Sequence, residues 1–292
     1  MAETQLTPNK ALIVPRDLKK KRHRKKNFLK NILAIIICLI HIAPIYIAIV
    51  VSTKSIGDFS SYWLPASKIN LSNYLTAFVE GNMFQAFKNT VILTICSVFF
   101  TVTLGAMAAY PLARNNSKLN KYVMMFILSI MIIPPLSLLV PLYTFMVDIK
   151  AINTLWGMIL LQTTFNLPVS VFLFTNFIKT IPRELDEAAI IDGCSGFSIF
   201  FRIILPLLKP VTATVIILTG VGVWNDYQFP LFFLQSEETK VITVAIASFF
   251  SENSSNTGLA AAGALIAVLP ITILYLFLQK YFIRGMLDSA VK

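Results

Sequence analysis

Charged residues are scarce in this sequence of 292 residues: Asp, Glu, Lys and Arg make up 13%, against about a quarter in soluble domains. Histidine and cysteine are scarcer still, with two and three residues and no Cys-x-x-Cys pair. These shortages argue against a metal site and imply no disulfide. Hydrophobic residues make up 56% and the mean hydropathy is +0.73, so the composition indicates a membrane protein.

Catalytic motifs are also missing. The chain has no Gly-Lys pair, so it lacks the P-loop that cradles the phosphates of ATP. It has no His-Glu-x-x-His zinc motif and no plausible pairing of a nucleophile with a base. We therefore expect a chain that is not an enzyme by itself and holds no cofactor. Any energy that it uses has to come from a partner.

Long apolar windows dominate what is present. Each is at least as long as the roughly 20 residues that cross a ~30 Å hydrocarbon core, and only the fifth holds an acid, Asp226. The pattern predicts an all-α membrane protein with six transmembrane helices in one domain, residues 32–280. The windows are 32–51, 89–113, 122–147, 151–178, 210–235 and 257–279.

The distribution of positive charge predicts the orientation. All but five of the 25 lysines and arginines fall in segments 1–31, 114–121, 179–209 and 280–292. Because cytoplasmic segments are enriched in Lys and Arg, we expect both termini in the cytoplasm, as a basic tail (1–31) and a short tail (281–292). The exceptions are Lys54, Lys68, Lys88, Lys150 and Lys240.

The basic run at residues 19–26 has two interpretations. Such runs can bind nucleic acid or anionic lipid, but one directly before an apolar window is usually a topology anchor. We favour the anchor and expect no nucleic-acid partner. A cleaved signal peptide is disfavoured, since no small-residue cleavage site follows Val51.

Two connections on the outer side are long enough to carry structure. The first, from Ser52 to about Gln85, contains Tyr62 and Trp63 and suits an interfacial segment or a short amphipathic helix. The third, residues 236–256, joins an apolar part to a polar tip. It is either a re-entrant segment that touches a partner or a plain surface loop.

A charged island interrupts the apolar sequence at residues 179–209, here called the EAA loop. Acids near the start of a helix are favoured by its dipole, and glycine suits the left-handed stop at its end. Leu185, Ala188, Ala189 and Asp192 share one face at helical spacing, while Phe197, Phe200 and Phe201 form an apolar knob. The pattern predicts a helix–turn–helix with an exposed apolar surface, which is typical of an interaction site.

The spacing of this island resembles the EAA motif of ABC importer permeases. Glu187-Ala188-Ala189, Gly193, Ile203, Leu205 and Pro206 satisfy every position of that motif. Other segments are similar to the carbohydrate-uptake branch, and within it to the smaller, six-helix permease of maltose-type systems. They are Pro141-Leu142-Tyr143, Asn153-Thr154-Leu155-Trp156-Gly157, Trp224-Asn225-Asp226, Arg284-Gly285-Met286 and Ala290-Val291-Lys292; Ser289-Ala290 is a mild departure from the usual Gly-Ala.

This resemblance implies a type I ABC importer permease architecture in a bacterial plasma membrane, serving oligosaccharide import. It implies two ATPase subunits that bind ATP and Mg, a second homologous permease subunit and an extracytoplasmic sugar-binding protein at the third outer loop. The C-terminal tail would also reach the ATPases. The residues implied in coupling to the ATPases are Glu187, Ala188, Ala189, Asp192, Gly193, Phe197, Ile203, Leu205 and Pro206.

A sugar path has to be polar, because moving one unpaired hydroxyl into hydrocarbon costs roughly 4–8 kcal/mol. Helix–helix hydrogen bonding and an interfacial aromatic belt are the alternative roles for the polar and aromatic residues near this path. A different class of function, an ion-coupled secondary transporter, would use Asp226. The candidate path residues are Gln162, Asn166, Trp224, Asn225, Asp226 and Tyr227, with Asn89 as a further polar group.

Overall fold

The computed structural model describes residues 16–252 and 256–290, and within these ranges the chain is helical without a strand. Thirteen α-helices are described, with a 3₁₀ turn at Pro135–Leu138 and a π-helical segment at Phe200–Ile204. The α-helices are α1 (Arg16–Ser52), α2 (Ser72–Glu80), α3 (Met83–Arg114), α4 (Lys118–Ile130), α5 (Leu139–Asp148), α6 (Leu155–Thr180), α7 (Glu184–Ile191), α8 (Gly196–Ile199), α9 (Leu205–Leu207), α10 (Lys209–Asn225), α11 (Gln228–Phe233), α12 (Ile242–Glu252) and α13 (Thr257–Ala290).

Four stretches of helix are long and apolar enough to cross a membrane unaided: Lys30–Ser52, Met83–Arg114, Leu155–Thr180 and Thr257–Phe277. Two bent pairs raise the number to six if each is one span. The fold class is therefore confirmed, but two of the six predicted spans are not straight helices.

The third predicted span, 122–147, is broken into α4 and a second piece, Pro135–Asp148, which consists of the 3₁₀ turn and α5; the two pieces meet at 89°. The break falls at Pro134 and Pro135, where the proline ring cannot donate a backbone hydrogen bond and disfavours helical geometry in the residue before it. Hydropathy is continuous across this point. In the sequence, therefore, only the two prolines indicate the bend.

The second bent pair, Gly196–Leu207 and Lys209–Asn225, turns by 75° just before the fifth predicted span, 210–235, and that span ends early. Helix α10 stops at Asn225, Asp226 is extended, and a separate short helix, α11, begins at Gln228. We expected Asp226 to lie within a continuous helix, and this expectation is wrong. The Asp226 carboxylate accepts the backbone N–H groups of Gln228 and Phe229, so it caps α11.

Helices α3 and α6 form the centre of the bundle. They approach closely because Gly105 of α3 faces Ser170 of α6, whose hydroxyl donates to the carbonyl of Thr101 at 3.0 Å. Helix α10 packs beside α3, and α13 packs against α1, α2, α10 and α12. The bundle thereby presents the EAA loop at the Arg114 end of α3 and the outer connections at its Met83 end.

The outer connections are packed structures. The first holds α2, which lies downstream of the exposed Tyr62 and Trp63, and the amide of Asn73 donates to the carbonyls of Ser52 and Lys54. The third connection forms α12, so the interpretation as a plain surface loop is wrong. The tip of this connection, residues 253–255, lies outside the described residues. Buried side chains of this connection include Val241, Ile242, Val244, Ala245 and Phe249.

The predicted tails are described only in part. Helix α1 begins at Arg16, so residues 16–31 of the basic tail continue as helix into the first span. Helix α13 continues to Ala290. Residues 1–15 and the final pair, Val291 and Lys292, lie outside the described residues, and so does the end of the tail predicted to reach the ATPases.

Candidate functional site

The EAA loop is a compact helix–turn–helix, as its pattern predicts. Helix α7 ends at Ile191, and Gly193 follows in the left-handed region with φ of +81°. The N–H of Gly193 donates to Ile190 O at 3.0 Å and that of Cys194 to Ala189 O at 2.9 Å, which closes the helix end. Glycine is therefore present where the backbone needs it.

The motif residues divide between the two faces of the loop. Ala189 is only 4% exposed and packs in the core, so it supports α7 from beneath instead of lying on the outer face predicted for it. Asp186, three residues earlier on the same stripe, is also buried. The exposed motif residues are Glu187, Ala188, Asp192, Gly193, Phe197 and Pro206, while Ile203 and Leu205 are half-buried.

An apolar surface covers the outer face of the loop. Ile191 is 86% and Phe197 70% exposed, and the ring of Phe197 lies 4.5 Å from that of Phe201. Phe200 points inward, so the predicted knob consists of two rings instead of three. Sequence reasoning did not include Ile190 and Ile191 among the site residues. The available signal was two adjacent apolar residues shortly before the glycine that ends the helix. Exposed apolar side chains that lie together in this way are typical of interaction surfaces.

Polar contacts hold the inner face of the loop against the bundle. The hydroxyl of Tyr110 donates to Asp186 Oδ1 at 2.7 Å, and Arg114 Nη2 lies 2.7 Å from Asp186 Oδ2. The Arg114 contact is an ion pair without the geometry of a directed hydrogen bond. Arg114 directs its hydrogen bonds through Nη1 to Ile178 O and Ile181 O. None of these three side chains was among the predicted site residues.

The structure brings together only part of the predicted sugar path. The amide of Gln162 donates to Asp226 Oδ2, and Thr243 donates to the carbonyl of Asp226 at 2.7 Å. Together with its capping of α11, these contacts make Asp226 a junction between α6, α11 and α12. Gln162 and Asp226, both predicted path residues, therefore lie next to each other, but their polar groups form hydrogen bonds that hold helices together.

The remaining path candidates have local partners. Asn166 and Asn225 each donate to a carbonyl one turn earlier in their own helix, at 2.8 and 2.9 Å. Trp224 is buried, donates to Ala267 O at 3.2 Å and meets the ring of Phe87 edge-on, so it is a packing residue. Tyr227 is exposed. Asn89 is buried and fastens the third outer connection through the carbonyls of Glu238 and Lys240.

A large cavity beside α6 does not include these groups. It has a volume of about 670 Å³, lies between the bent α4–α5 pair and α6, and is lined chiefly by apolar side chains such as Phe145, Leu160 and Phe165. None of the six predicted path residues lines it. This chain therefore does not enclose its candidate path residues in that cavity.

Comparisons with known proteins agree with this architecture. Residues 101–288 match the family described as binding-protein-dependent transport system inner membrane component. The chain is 47% identical to the melibiose/raffinose/stachyose import permease protein MelC of Bacillus subtilis (strain 168), over 90% of this chain and 95% of that protein. It is 35% identical to the probable starch degradation products transport system permease protein AmyC of Thermoanaerobacterium thermosulfurigenes, over 94% and 99%.

A solved structure shares the fold. It is the crystal structure of a bacterial ABC transporter involved in the import of the acidic polysaccharide alginate, and it superposes with a TM-score of 0.76 at 21% identity. The match covers 93% of this chain and 100% of that chain.

Proposed function

This chain belongs to the family of binding-protein-dependent transport system inner membrane components, and on that premise we propose that it is the permease subunit of an ATP-driven oligosaccharide importer. It is a multi-pass membrane protein with the fold of type I ABC importer permeases. The observation that carries the proposal is the EAA loop, whose inner face is fastened to α3 and α6 while its outer face is apolar and exposed.

The proposed substrates are short soluble oligosaccharides. The relatives named above are a melibiose/raffinose/stachyose permease and a probable permease for starch degradation products, and both match almost their full length. Sugars of the raffinose type are the first choice, because the melibiose/raffinose/stachyose permease is 47% identical to this chain. Each sugar carries many hydroxyls, so a protein-lined path has to replace the water that they lose.

The proposed energy source is a pair of ATPase subunits with ATP and Mg, one of which docks on the EAA loop. Glu187 is an exposed acid in the first turn of α7, and Ile191 and Phe197 are exposed apolar side chains at the turn and on α8. An apolar knob beside an exposed negative charge fits a concave, positively charged cleft. Docking there requires the loop, and hence both termini, to be on the cytoplasmic side of the plasma membrane.

The sugar path is proposed to lie between this chain and a second homologous permease subunit. Gln162 and Asp226 bond to each other and Tyr227 is exposed, so these groups do not enclose a polar conduit by themselves, which supports a path shared with a second chain. An extracytoplasmic sugar-binding protein is proposed to contact the connection that contains α12. Packing fixes that helix to the bundle, which suits a surface that receives a partner.

The alternative of an ion-coupled transporter finds little support at Asp226. Its carboxylate already accepts hydrogen bonds from Gln162, Gln228 and Phe229, and these interactions explain its place in the fold without an ion. Family membership also favours the importer.

The decisive experiment reconstitutes the complete complex in lipid vesicles with the binding protein and radiolabelled raffinose. We expect uptake with ATP and Mg, none with a non-hydrolysable ATP analogue, and no effect of ionophores that collapse ion gradients. Uptake that follows an imposed proton or sodium gradient without hydrolysis would overturn the proposal. A panel of unlabelled competitors, from melibiose to maltodextrins, then identifies the preferred sugar.

A further inference from the structure

Two residues one turn apart on α3 contact the inner face of the EAA loop. Tyr110 and Arg114 are four positions apart, so they share one face of the helix. Tyr110 donates a hydrogen bond to Asp186 of α7, and Arg114 forms an ion pair with it. Asp186 is 8% exposed, which places its carboxylate inside the protein. The loop is therefore fixed to α3 at a buried charged contact instead of resting on an apolar surface alone.

Arg114 extends the same connection to α6. Its Nη1 donates to Ile181 O at 2.9 Å and Ile178 O at 3.3 Å, at the carboxyl end of α6, where a cation also complements the helix dipole. One guanidinium thus touches α3, α6 and α7. These are the two central helices of the bundle and the first helix of the loop.

Tyr110 connects the second half of the loop. Its ring packs on that of Phe200, with centroids 5.5 Å apart, while its hydroxyl bonds to Asp186. Phe200 begins the π-helical segment that leads to α10 through a 75° bend. Both halves of the loop are therefore fastened to α3, while the covalent connection to α10 passes through irregular helix.

Stability alone does not explain a buried ion pair at this place. The desolvation of two charges roughly cancels their attraction, and apolar groups of equal volume often stabilise a protein as well. What such a pair supplies is a fixed relative position, because a misplaced partner leaves a buried charge unpaired. The contact joins the end of α3 to residues that lie 64 to 76 positions away along the chain.

We propose that Asp186, Arg114 and Tyr110 form a positioning joint that transmits displacement of α7 to α3 and α6. The inference rests on the proposed function, in which an ATPase moves the EAA loop. A displacement of α7 carries Asp186 with it, and the bonded Arg114 and Tyr110 draw the ends of α3 and α6 along. Without the joint, α7 moves while the central helices stay behind.

The test compares two variants in the complete reconstituted complex with its ATPases and binding protein. Asp186→Asn removes the charge that pairs with Arg114, and Tyr110→Phe removes one hydroxyl but keeps the ring on Phe200. The measurement is raffinose transported per ATP hydrolysed, with the amount of co-purified ATPase. Lys118→Gln is the control, since Lys118 is an exposed charge at the same end of the bundle but outside the EAA loop.

We expect Asp186→Asn to keep its ATPase and to hydrolyse ATP, while the sugar transported per ATP falls about fivefold or more, the lower range of coupling between two sites. Tyr110→Phe should shift the ratio in the same direction by less, and Lys118→Gln should leave it unchanged. If the Asp186→Asn variant does not assemble with its ATPases, the result for Tyr110→Phe tests the proposed joint. If an assembled variant transports as much raffinose per ATP as the wild type, the proposed joint is overturned but the proposed function is not. Uptake at the wild-type level without ATP would overturn the proposed function.

Discussion

Gly193 shows how one backbone angle fixes the shape of the proposed docking surface. Its φ of +81° costs roughly 1–2 kcal/mol for a residue with a Cβ atom, although no atom lies near enough to clash with one. We expect Gly193→Ala to lower the stability of the purified complex by about this amount, measured as the free energy of local unfolding by hydrogen exchange over α7 and α8.

Gly196 provides the control for this prediction. A methyl group there also meets open space, but no positive φ opposes it, and alanine has the better helix propensity. Gly196→Ala should leave exchange in the loop unchanged or slow it slightly. Equal effects of the two substitutions would show that the left-handed angle is not the cause.

Asp226 distinguishes a hydrogen-bonding role from an ionic one. Asparagine keeps an oxygen for the N–H groups of Gln228 and Phe229, and Gln162 can turn its amide to accept from the new NH₂ group. We expect Asp226→Asn to retain at least about half of the ATP-driven raffinose uptake, and Asp226→Ala to lose most of it together with about 1–3 kcal/mol of stability. Loss of uptake in a stably folded Asp226→Asn protein would indicate that the charge itself is needed.

The contrast between Gly193 and Asp186 shows what single residues reveal in advance. Gly193 was predicted because few residues other than glycine adopt left-handed geometry after a helix. Asp186 stands beside Glu187 in sequence and resembles an ordinary first-turn acid. Its burial depends on Tyr110, 76 residues away, and no local pattern reports a contact at that separation.

At the scale of elements, the α3–α6 contact depends on a missing side chain. A methyl group on Gly105 would overlap Ser170 Oγ and lie 2.9 Å from Ser170 Cβ, so the helices would have to separate. We expect Gly105→Ala to lower the thermal midpoint of the detergent-solubilised complex and to cost about 1–3 kcal/mol, as overpacking does. The assembled complex should also show lower ATP-driven uptake.

Gly222 of α10 is the matched control, because a methyl group there meets nothing within 4 Å. Gly222→Ala should leave the midpoint within error of the wild type. Adding Ser170→Gly to Gly105→Ala removes the overlapping atoms, and it should restore part of the loss. A double variant no better than the single one would place the cause outside this contact.

Helix existence followed from hydropathy, but helix continuity did not. The windows predicted six apolar crossings, and four of them are long helices. The window 122–147 is bent where prolines at 134 and 135 remove backbone donors. The window 210–235 is interrupted where Asp226 offers its carboxylate to the start of α11. Hydropathy depends on the side chains, so its average over a window does not report where backbone hydrogen bonding is interrupted.

At the scale of the whole molecule, α3 links the two predicted contact regions. Near one end, Asn89 holds the third outer connection through Lys240 O, and at the other end Arg114 holds the EAA loop. The two residues are about 38 Å apart along the helix at ~1.5 Å per residue, which exceeds the ~30 Å hydrocarbon core. The regions predicted to face opposite sides of the membrane therefore lie at opposite ends of one helix.

This arrangement makes the orientation testable by chemical labelling. In a background with Cys38, Cys96 and Cys194 replaced, single cysteines at the exposed positions Gly57 and Glu238 probe the Met83 end of α3, and those at Asn116 and Glu184 the Arg114 end. Because Lys and Arg concentrate in the segments around 116 and 184, these are expected in the cytoplasm. Gly57→Cys and Glu238→Cys should react with a membrane-impermeant maleimide in intact cells, whereas Asn116→Cys and Glu184→Cys should react only after permeabilisation. The reverse pattern would put the EAA loop outside the cell, out of reach of an ATPase, and would contradict the importer.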